Sequence, residues 1–448
     1  MKEWLLVVTL MVASTGCDRT VPTETSDVRL PSLAASTAPT LLSETTWGGP
    51  GSDITDGAAV ASDGSSYLVG FTSSFGGSSE KLFTVKFDAT GALAWQRTWD
   101  APGQFIRDEG RDDAVAPDGS VYVTGLTFVD GNRALLLKFG PDGTLLWQRV
   151  FGGNAHGDGV AIGADGSVYV AGGLRDAADA EDLFVIKLSP DGAPIWFKTW
   201  GATGVSEHAQ GIAIGGDGNV YVAGVAPRPS DPFLGEFDAV VLKIDPAGNM
   251  IWQRAFAGGD VTDARGGIAV APDGSLYVAG GFQGPSGSGV TNDGLIVKVT
   301  SEGDQVWARR WENSFAEGVA VAPDGRIVFV GQTSFEVGGD DALLVRLDPT
   351  GKTSDATAWG GVGFEGGRDV GVAPDGTIVL GAFAEQPPYV LGAARGRASR
   401  ARLSVTTPSL SLVDFPGGVV DPAGLVEIPT GTTTYAGGFD AALVRVAP

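Results

Sequence analysis

Acidic side chains recur at one position in this chain, and carboxylates are groups that can bind a cation or a basic partner. Five acids stand ten residues before a repeated turn signal, in the loop that should lead into the first strand of a repeat. Grouped around one opening, they would raise the local negative potential and could supply oxygen ligands to Ca²⁺. The alternative is that each acid only caps its own turn. The five acids are Asp53, Asp108, Glu207, Asp263 and Glu365.

The two histidines of the chain, His156 and His208, occupy equivalent positions in adjacent repeats, one residue after the acid position. With Asp158 and Glu207 nearby in sequence, they could bind zinc, which takes imidazole and carboxylate ligands. Equivalent positions in a repeat need not be close in space. A zinc site is therefore a hypothesis that depends on geometry.

Familiar catalytic signatures are missing from the sequence. It contains no G-x-S-x-G, H-E-x-x-H or P-loop motif. A Ser-His-Asp triad would have to use one of the two histidines. Carboxylate pairs for glycoside cleavage stay open, because such pairs can come from distant parts of a repeat protein.

The elements that must position these residues come from a repeat that begins at residue 41. Stretches such as GVAIGADGSVYVAG (159–172) and GIAVAPDGSLYVAG (267–280) each precede an apolar run ending in a cation and then a strand with tryptophan. The residue before the glycine of the first turn defines eight copies, spaced 47 to 56 residues apart. These positions are Asp63, Asp118, Asp165, Asp217, Asp273, Asp324, Asp375 and Ala423.

Each copy has four short runs of β-branched and aromatic residues between Gly, Asp and Pro turn signals, which indicates four strands. Such units are blades of a β-propeller, and their apolar faces must stack on neighbours. We therefore predict an all-β, eight-bladed β-propeller over residues 41–448, with four antiparallel strands per blade. Seven blades would leave roughly sixty residues after Gly381 as one structureless loop, which is improbable in a compact domain.

The two ends of the repeat array predict how the ring closes. Residues 41–49 (LLSETTWGG) align with LLWQRVFGG (145–153), a fourth strand with its exit turn, whereas the last copy stops after its third strand. We expect residues 41–47 to complete the last blade and so to remove two open sheet edges.

The N-terminus has the pattern of an export signal. The apolar run from Trp4 to Ala13 is too short to span a bilayer as a mature helix but has the length of a signal-peptide core. Small residues then lead to Cys17, the only cysteine, in an arrangement that resembles the lipobox of bacterial lipoproteins. The resemblance implies a signal peptide at 1–16, an acylated Cys17 with a flexible tether at 17–40, and a lipid-anchored protein of the bacterial cell envelope, on either membrane.

The pattern W-G-G…D-G-x-Y-V-x-G…D-A-x-V-x-K-x-D-x-x-G…W over residues 41–448 resembles the bacterial SBBP β-propeller repeat family. This resemblance implies an envelope protein and specifies no activity. The segment DATGALAW (88–95) also resembles the tryptophan-docking motif of eight-bladed quinoprotein propellers. Quinone chemistry in that family typically uses vicinal cysteines, which this chain lacks.

The net charge of the chain limits the classes of partner that it can bind. The formal net charge is −23, with 53 acidic and 30 basic residues, and a field of that sign repels the phosphates of nucleic acid. We expect a monomeric, non-enzymatic binding or scaffolding module, held at a membrane by its lipid anchor, with an envelope protein or glycan as partner. No cofactor is expected unless the acids bind calcium. The alternative is a hydrolase or lyase whose site is spread over loops at the channel mouth.

Overall fold

Antiparallel sheets form the blades of a β-propeller around a central channel in the computed structural model of this protein, and blades 4 and 5 are joined in one 11-stranded sheet. The predicted signal peptide (1–16), Cys17 and nearly all of the predicted tether lie outside the described residues. The structure describes residues 39–75, 80–101, 107–128, 131–228, 236–258, 261–286, 289–333, 339–385, 389–394, 398–401, 403–408, 410, 412–414, 419–420, 425–427 and 438–448.

Each blade starts with an innermost first strand and continues outwards to a fourth strand. Asp-Gly turns join the first strand to the second: Gly64 has a φ of 83°, which favours glycine, and Asp63 accepts a hydrogen bond from the Ser65 N–H. In blade 5 the first strand is interrupted, and its outer piece makes one parallel contact with blade 4. In chain order the strands are β1 (Leu41–Trp47) of blade 7; β2 (Asp53–Val60), β3 (Ser66–Thr72), β4 (Lys81–Phe87) and β5 (Leu93–Asp100) of blade 1; β6 (Glu109–Val115), β7 (Val121–Phe128), β8 (Asn132–Phe139) and β9 (Leu145–Phe151) of blade 2; β10 (Ala155–Ile162), β11 (Val168–Arg175), β12 (Glu181–Leu188) and β13 (Pro194–Trp200) of blade 3; β14 (His208–Ile214), β15 (Val220–Pro227), β16 (Phe237–Ile244) and β17 (Met250–Ala257) of blade 4; β18 (Val261–Thr262), β19 (Ile268–Val270), β20 (Leu276–Ser286), β21 (Gly289–Val299) and β22 (Gln305–Trp311) of blade 5; β23 (Ser314–Val321), β24 (Ile327–Thr333), β25 (Asp341–Leu347) and β26 (Thr353–Gly360) of blade 6; and β27 (Glu365–Val372) and β28 (Ile378–Ala384) of blade 7.

Six short strands that follow β28 form a set that we call the girdle. Each pairs antiparallel with the outer strand of a different blade and gives that blade a fifth strand: β26, β22, β17, β13, β9 and β5 are paired in this order. Along the chain, the girdle strands therefore pair with the blades in descending order, from blade 6 to blade 1. They cover outer strand edges that would otherwise be open to pairing. Its strands are β29 (Val390–Ala393), β30 (Ala398–Arg400), β31 (Ser404–Thr406), β32 (Val413–Asp414), β33 (Val419–Val420) and β34 (Leu425–Glu427).

The prediction of eight blades is wrong, because the described residues form seven. The last strand, β35 (Asp440–Val446), pairs with β28 and is the third strand of blade 7, not part of an eighth blade. The predicted eighth copy is anchored at Ala423, but the nearby strand β34 lies against β5 of blade 1. The residues after Gly381 are also not one structureless loop, since the girdle lies among them.

The ring closes as the sequence predicts. Strand β1 pairs antiparallel with β35, from Leu41 opposite Val446 to Trp47 opposite Ala441, and the strand order of blade 7 is β1-β35-β28-β27. The N-terminal strand of the propeller is therefore the fourth strand of its last blade.

Tryptophans on the fourth strands join each blade to the next one. In blade 1, Trp95 Nε1 donates to the Pro141 carbonyl at 2.9 Å, and Trp99 Nε1 donates to Gln148 Oε1 at 2.8 Å. The turn of the neighbouring blade also accepts a hydrogen bond from Arg97 at the Gly143 carbonyl. The tryptophans that mark the last strand of each copy in the sequence are thus part of the contact between blades. The same donor–carbonyl contact joins Trp147 to Pro190, Trp196 to Pro246, Trp252 to Ser301 and Trp307 to Pro349.

A recurrent glycine in the second strand reflects a close approach by the first strand. A Cβ on Gly70 would lie 1.9 Å from the Ile54 carbonyl oxygen, and one on Gly172 would lie 1.9 Å from the His156 carbonyl oxygen. No side chain fits there without moving the backbone. Just after this contact, the first strand forms a β-bulge, at 55–57 in blade 1 and 157–159 in blade 3.

Candidate functional site at the channel mouth

Four of the five predicted acids lie at the entrance of a first strand with buried side chains. In each, a carboxylate oxygen accepts a hydrogen bond from a backbone N–H just beyond the fourth strand of the preceding blade. This is the geometry of a turn cap. The pairs are Asp53 with Gly49 (2.8 Å), Asp108 with Ala101 (2.8 Å), Glu207 with Ala202 (3.4 Å) and Glu365 with Gly361 (2.7 Å).

The fifth acid, Asp263, is placed differently because the first strand of blade 5 is interrupted. Its Oδ1 accepts a hydrogen bond from the Gly281 N–H at 2.6 Å, and its Oδ2 lies 3.6 Å from Arg265 Nη2. In the part of the chain that the structure describes, no group of three or more His, Cys, Asp or Glu side chains is arranged to hold a metal ion. Binding of calcium or a basic partner by the five acids stays a prediction.

Burial raises the pKa values of two of these capping acids and of one further acid, Asp440. It raises the pKa of Asp108 to about 7 and that of Glu207 to about 8. Burial, together with the nearby charge of Asp53, raises the pKa of Asp440 to about 6. These carboxyls therefore hold their protons at pH values where exposed carboxyls are ionised.

We expect the protein to melt several degrees higher at pH 5 than at pH 8.5. Carboxyls with raised pKa values bind protons more tightly in the folded state, so the free energy of unfolding falls as pH rises from about 4 to about 8. His156, whose pKa is about 9, adds stability below about pH 6.5 that is lost as the pH rises through 9. Scanning calorimetry measures the effect, and the double variant Asp108→Asn, Glu207→Gln should flatten it. A melting temperature that rises with pH over this range would contradict the assignment.

The channel mouth is a cavity of about 750 Å³ lined by the first strands of all seven blades. The bulge in each regular first strand turns one side chain into it, as bulges do when they re-aim a residue. Around the ring the ionisable side chains alternate in sign, with neutral Gln210 between Asp158 and the Arg265 of blade 5. In blade order the residues are Asp56, Arg111, Asp158, Gln210, Arg265, Glu317 and Arg368. We call them the charge ring.

An ion pair joins two members of the charge ring in neighbouring blades, since Arg111 Nη1 contacts Asp158 Oδ1. Within blade 2, Arg111 Nη2 also lies 3.5 Å from Glu109 Oε2. Burial raises the pKa of Asp56 to about 7, although the charge of Arg368 opposes the shift. Asp56 is therefore only partly ionised near neutral pH.

The charge ring is not among the predicted site residues, because its members do not stand at the position ten residues before each turn. Seven residues before the turn aspartate stand Asp56, Arg111, Asp158, Gln210, Glu317 and Arg368, with Gly266 in blade 5. A polar or charged residue at that position in six of the seven true repeats is the signal that could have found it. No local pattern reveals that this position is a bulge.

The two histidines are brought together at the mouth. Their ring centroids are 6.4 Å apart, and Glu181, which the sequence analysis did not select, lies between them, 3.5 Å from His156 Nε2 and 3.8 Å from His208 Nδ1. Asp158 Oδ2 is 2.7 Å from His156 Nδ1, closer than Arg111 Nη1 at 3.0 Å. Glu207, suggested as a ligand beside them, instead caps the turn at Ala202.

The two imidazoles differ in their protonation. Burial lowers the pKa of His156, but the charge of Asp158 and hydrogen bonds to Asp158 and Glu181 outweigh it and raise this pKa to about 9. Burial lowers the pKa of His208 below its usual value. At neutral pH the mouth therefore presents one imidazolium and one neutral imidazole.

Two further carboxylates near the axis brace the blades. Asp112 Oδ2 accepts a hydrogen bond from the Val160 N–H of the next blade at 2.7 Å, and Asp369 Oδ2 accepts one from the Ala58 N–H at 2.9 Å. Several other blades have glycine at this position, where backbones of neighbouring blades come close. These two acids therefore stabilise the ring even though they border the mouth.

Comparison with known proteins agrees with the fold. A family model described as a domain of unknown function (DUF5122) beta-propeller matches residues 322–353, which include β24 and β25 of blade 6. Together with the arrangement of the blades, this match identifies the chain as a β-propeller protein. Within the described residues, no helix is long and apolar enough to cross a membrane.

The chain is similar to Regulatory protein FlaEY of Caulobacter vibrioides, at 29% identity over 161 residues. The match covers 31% of this chain and only 16% of the length of that protein. Among solved structures, the Pan2 WD40 domain of Neurospora crassa has a TM-score of 0.46 at 11% identity and covers 78% of this chain and 94% of its own. The polysaccharide lyase Uly1 has a TM-score of 0.42 at 10% identity, with 82% of this chain and 90% of its own covered.

Proposed function

We propose that this protein is a non-enzymatic binding or scaffolding module of the bacterial cell envelope and takes a protein or glycan partner at the channel mouth. The observation that supports this proposal is the charge ring, a set of ionisable side chains held by rigid strands around an open cavity of about 750 Å³. Most other recurrent polar side chains of the repeat are used inside the fold, as turn caps or contacts between blades. Binding residues on rigid scaffolds concentrate at such openings.

The chemistry of the mouth suits a partner with both donors and acceptors. Arg111 and Arg368 offer donors in fixed directions, and Asp158 and Glu317 offer acceptors next to them. Peptide groups and sugar hydroxyls present both kinds of group at short spacing. The net charge of −23 favours a neutral or basic partner over a nucleic acid. The similarity to a protein named as regulatory fits a binding role.

The double variant Asp56→Asn, Arg368→Gln tests this site. It removes one negative and one positive side chain from the charge ring, so net charge hardly changes while two recognition groups are lost. We expect at least a tenfold weaker capture of envelope proteins or soluble envelope glycans, measured by quantitative pull-down and glycan-array binding. A matched control is Asp324→Asn, Arg326→Gln, which removes an exposed ion pair of 2.6 Å at a turn on the opposite end of blade 6. Equal binding by wild type and the ring variant would overturn the proposal.

The envelope location rests on the sequence before the propeller. We propose that Cys17 is acylated and anchors the chain, because the preceding apolar run and small residues resemble a lipobox. Membrane fractionation of Cys17→Ser checks this part separately: the variant should move to the soluble fraction and still bind at the mouth. A Cys17→Ser protein that stays with the membrane would mean that another anchor holds it.

A second candidate function is a hydrolase or lyase at the same mouth. The observation that favours it is the histidine pair, in which His156 is protonated and His208 is neutral at pH 7. Two neighbouring groups with separated pKa values can act as acid and base. Release of new reducing ends or carboxylates from a glycan, lost in His208→Gln, would favour this candidate over simple binding.

A further inference from the structure

A second cavity lies between blades 3 and 4, away from the channel. Its volume is about 840 Å³, within the roughly 300–1,000 Å³ typical of small-molecule sites. Trp200 and Val205 from the end of blade 3 and Val240 from blade 4 form apolar walls, and the girdle residues Pro408 and Leu410 close the outer side. Two blades and the girdle thus line the cavity, which remains partly open to solvent.

At this cavity, blade 4 has a smaller residue than the other blades have at the equivalent position. The third-strand residue opposite the recurrent glycine is Val240 in blade 4, paired with Gly224, but Phe83 in blade 1 and Phe184 in blade 3. In blade 3 the Phe184 ring packs 5.3 Å from that of Phe197, which fills the space. Val240 is the smallest residue at this position in the ring. The remaining blades have Leu135, Leu295, Leu343 and Leu443 there.

Hydrogen bonds connect the girdle residues that form the outer side of the cavity to blades 3 and 4. Gln253 Oε1 accepts a hydrogen bond from Trp200 Nε1 at 2.7 Å. The amide nitrogen of the same side chain donates to the carbonyl oxygens of Pro408 and Leu410, the latter at 2.8 Å. One side chain therefore connects blade 3, blade 4 and the girdle, and the cavity is preorganised rather than a gap under a loose segment.

The polar groups of the cavity carry little uncompensated charge. Arg228 Nη2 lies 2.9 Å from Asp238 Oδ1, and Arg228 Nη1 lies 2.7 Å from Glu236 Oε2. Glu207, with 2% of its surface exposed, borders the cavity. Burial raises its pKa to about 8, so it is mostly a neutral carboxylic acid at pH 7 and can donate a hydrogen bond.

We propose that this cavity binds an uncharged, mainly apolar small molecule with one hydrogen-bonding group, seated against Trp200 with its polar group at Glu207. Apolar walls favour such a molecule by removing its surface from water. An ion would lose part of its hydration against the apolar walls without gaining a free counter-charge, which is costly. This site is separate from the channel mouth, and the inference does not depend on the function proposed there.

Binding of the neutral fluorescent probe N-phenyl-1-naphthylamine to the full chain tests the site. Val240→Phe places in blade 4 the residue that blades 1 and 3 already hold, so the fold should persist while the cavity fills, and we expect at least a tenfold weaker binding. Ala226→Phe is a second filling variant, because blade 5 has Phe282 at the equivalent position. The matched control is Val405→Phe on β31, whose side chain is 40% exposed and outside the cavity lining. Retained probe binding in both filling variants would overturn the proposal, as would no binding by the wild type.

Competition experiments identify the ligand class. Decanol should displace the probe from the wild-type protein, whereas decyltrimethylammonium, which has the same chain and a fixed positive charge, should displace it at least tenfold less well. Glu207→Gln keeps a neutral donor and should preserve this order. Stronger displacement by the cation than by the alcohol would contradict an uncharged ligand.

Discussion

A chain that begins at residue 50, and therefore lacks β1, is expected to lose the closed monomeric ring. Without β1, the β35 strand of blade 7 has an open edge, which invites pairing with another chain. Trp47 is 1% exposed and packs 4.6 Å from Phe83, while its Nε1 donates to Gln96 Oε1 at 2.7 Å. Glu44 also accepts a hydrogen bond from Trp359 of blade 6. One strand thus connects blades 6, 7 and 1.

The expected loss is large because several interactions disappear together. Burial of one large side chain contributes about 1.5–3 kcal/mol, and each hydrogen bond about 0.5–1.5 kcal/mol. Thermal unfolding and analytical ultracentrifugation should show a lower melting temperature and self-association. The control is a chain that begins at residue 39, which keeps β1 and should behave like the full propeller. A shortened chain that stays monomeric with an unchanged melting temperature would refute this closure.

Replacing residues 386–438 by Asn-Gly is expected to leave a ring of seven blades that associates with itself. Ala384 and Asp440 are direct partners in the antiparallel pair of β28 and β35, so a short hairpin can join these strands. The replacement removes all six girdle strands and exposes the outer edges of six blades at once. Each exposed edge presents unpaired N–H and C=O groups to other molecules.

Circular dichroism and sedimentation separate the two parts of this expectation. The strand signal should persist, because contacts such as that of Trp95 Nε1 with the Pro141 carbonyl join the blades without the girdle, while the sedimentation coefficient should rise with protein concentration. The probe site between blades 3 and 4 should be lost as well, since Pro408 and Leu410 form its outer wall. A girdle-free protein that stays monomeric at high concentration would show that the outer edges need no cover.

Blades 1 to 6 could be predicted from the sequence because their signals are local. Asp-Gly turns and alternating runs such as Val-Tyr-Val place strands within a few tens of residues of their partners. Blade 7 could not be predicted correctly, since β28 and β35 are separated by the girdle and DPAGLVEIPTG (421–431) imitates a repeat. Girdle strands of two to four residues are too short for any periodic pattern.

The candidate site likewise combines features that local sequence signals predict with features that they do not. Asp53 accepts a hydrogen bond from the Gly49 N–H, as the turn-capping alternative predicts. Such a bond can be predicted because a capping acid binds a group within its own loop. The meeting of His156 and His208 at Glu181 depends on how two blades pack, which no local signal reports. Arg111 could be found only from the recurrence of polar residues seven positions before each turn, because its bulge has no local signal.

The pairing of β1 with β35 also determines when the propeller can complete its folding during synthesis. Six blades consist of continuous chain and can form as they are synthesised, but residue 47 must wait for its partner strand to be made about 400 residues later. At ~5–20 residues per second, that interval is roughly 20–80 s. The β34 strand must likewise return to β5, and contacts between such distant residues form slowly. The protein is therefore most exposed to aggregation and proteolysis before its last strand arrives, and any factor that shields the incomplete ring would act in that interval.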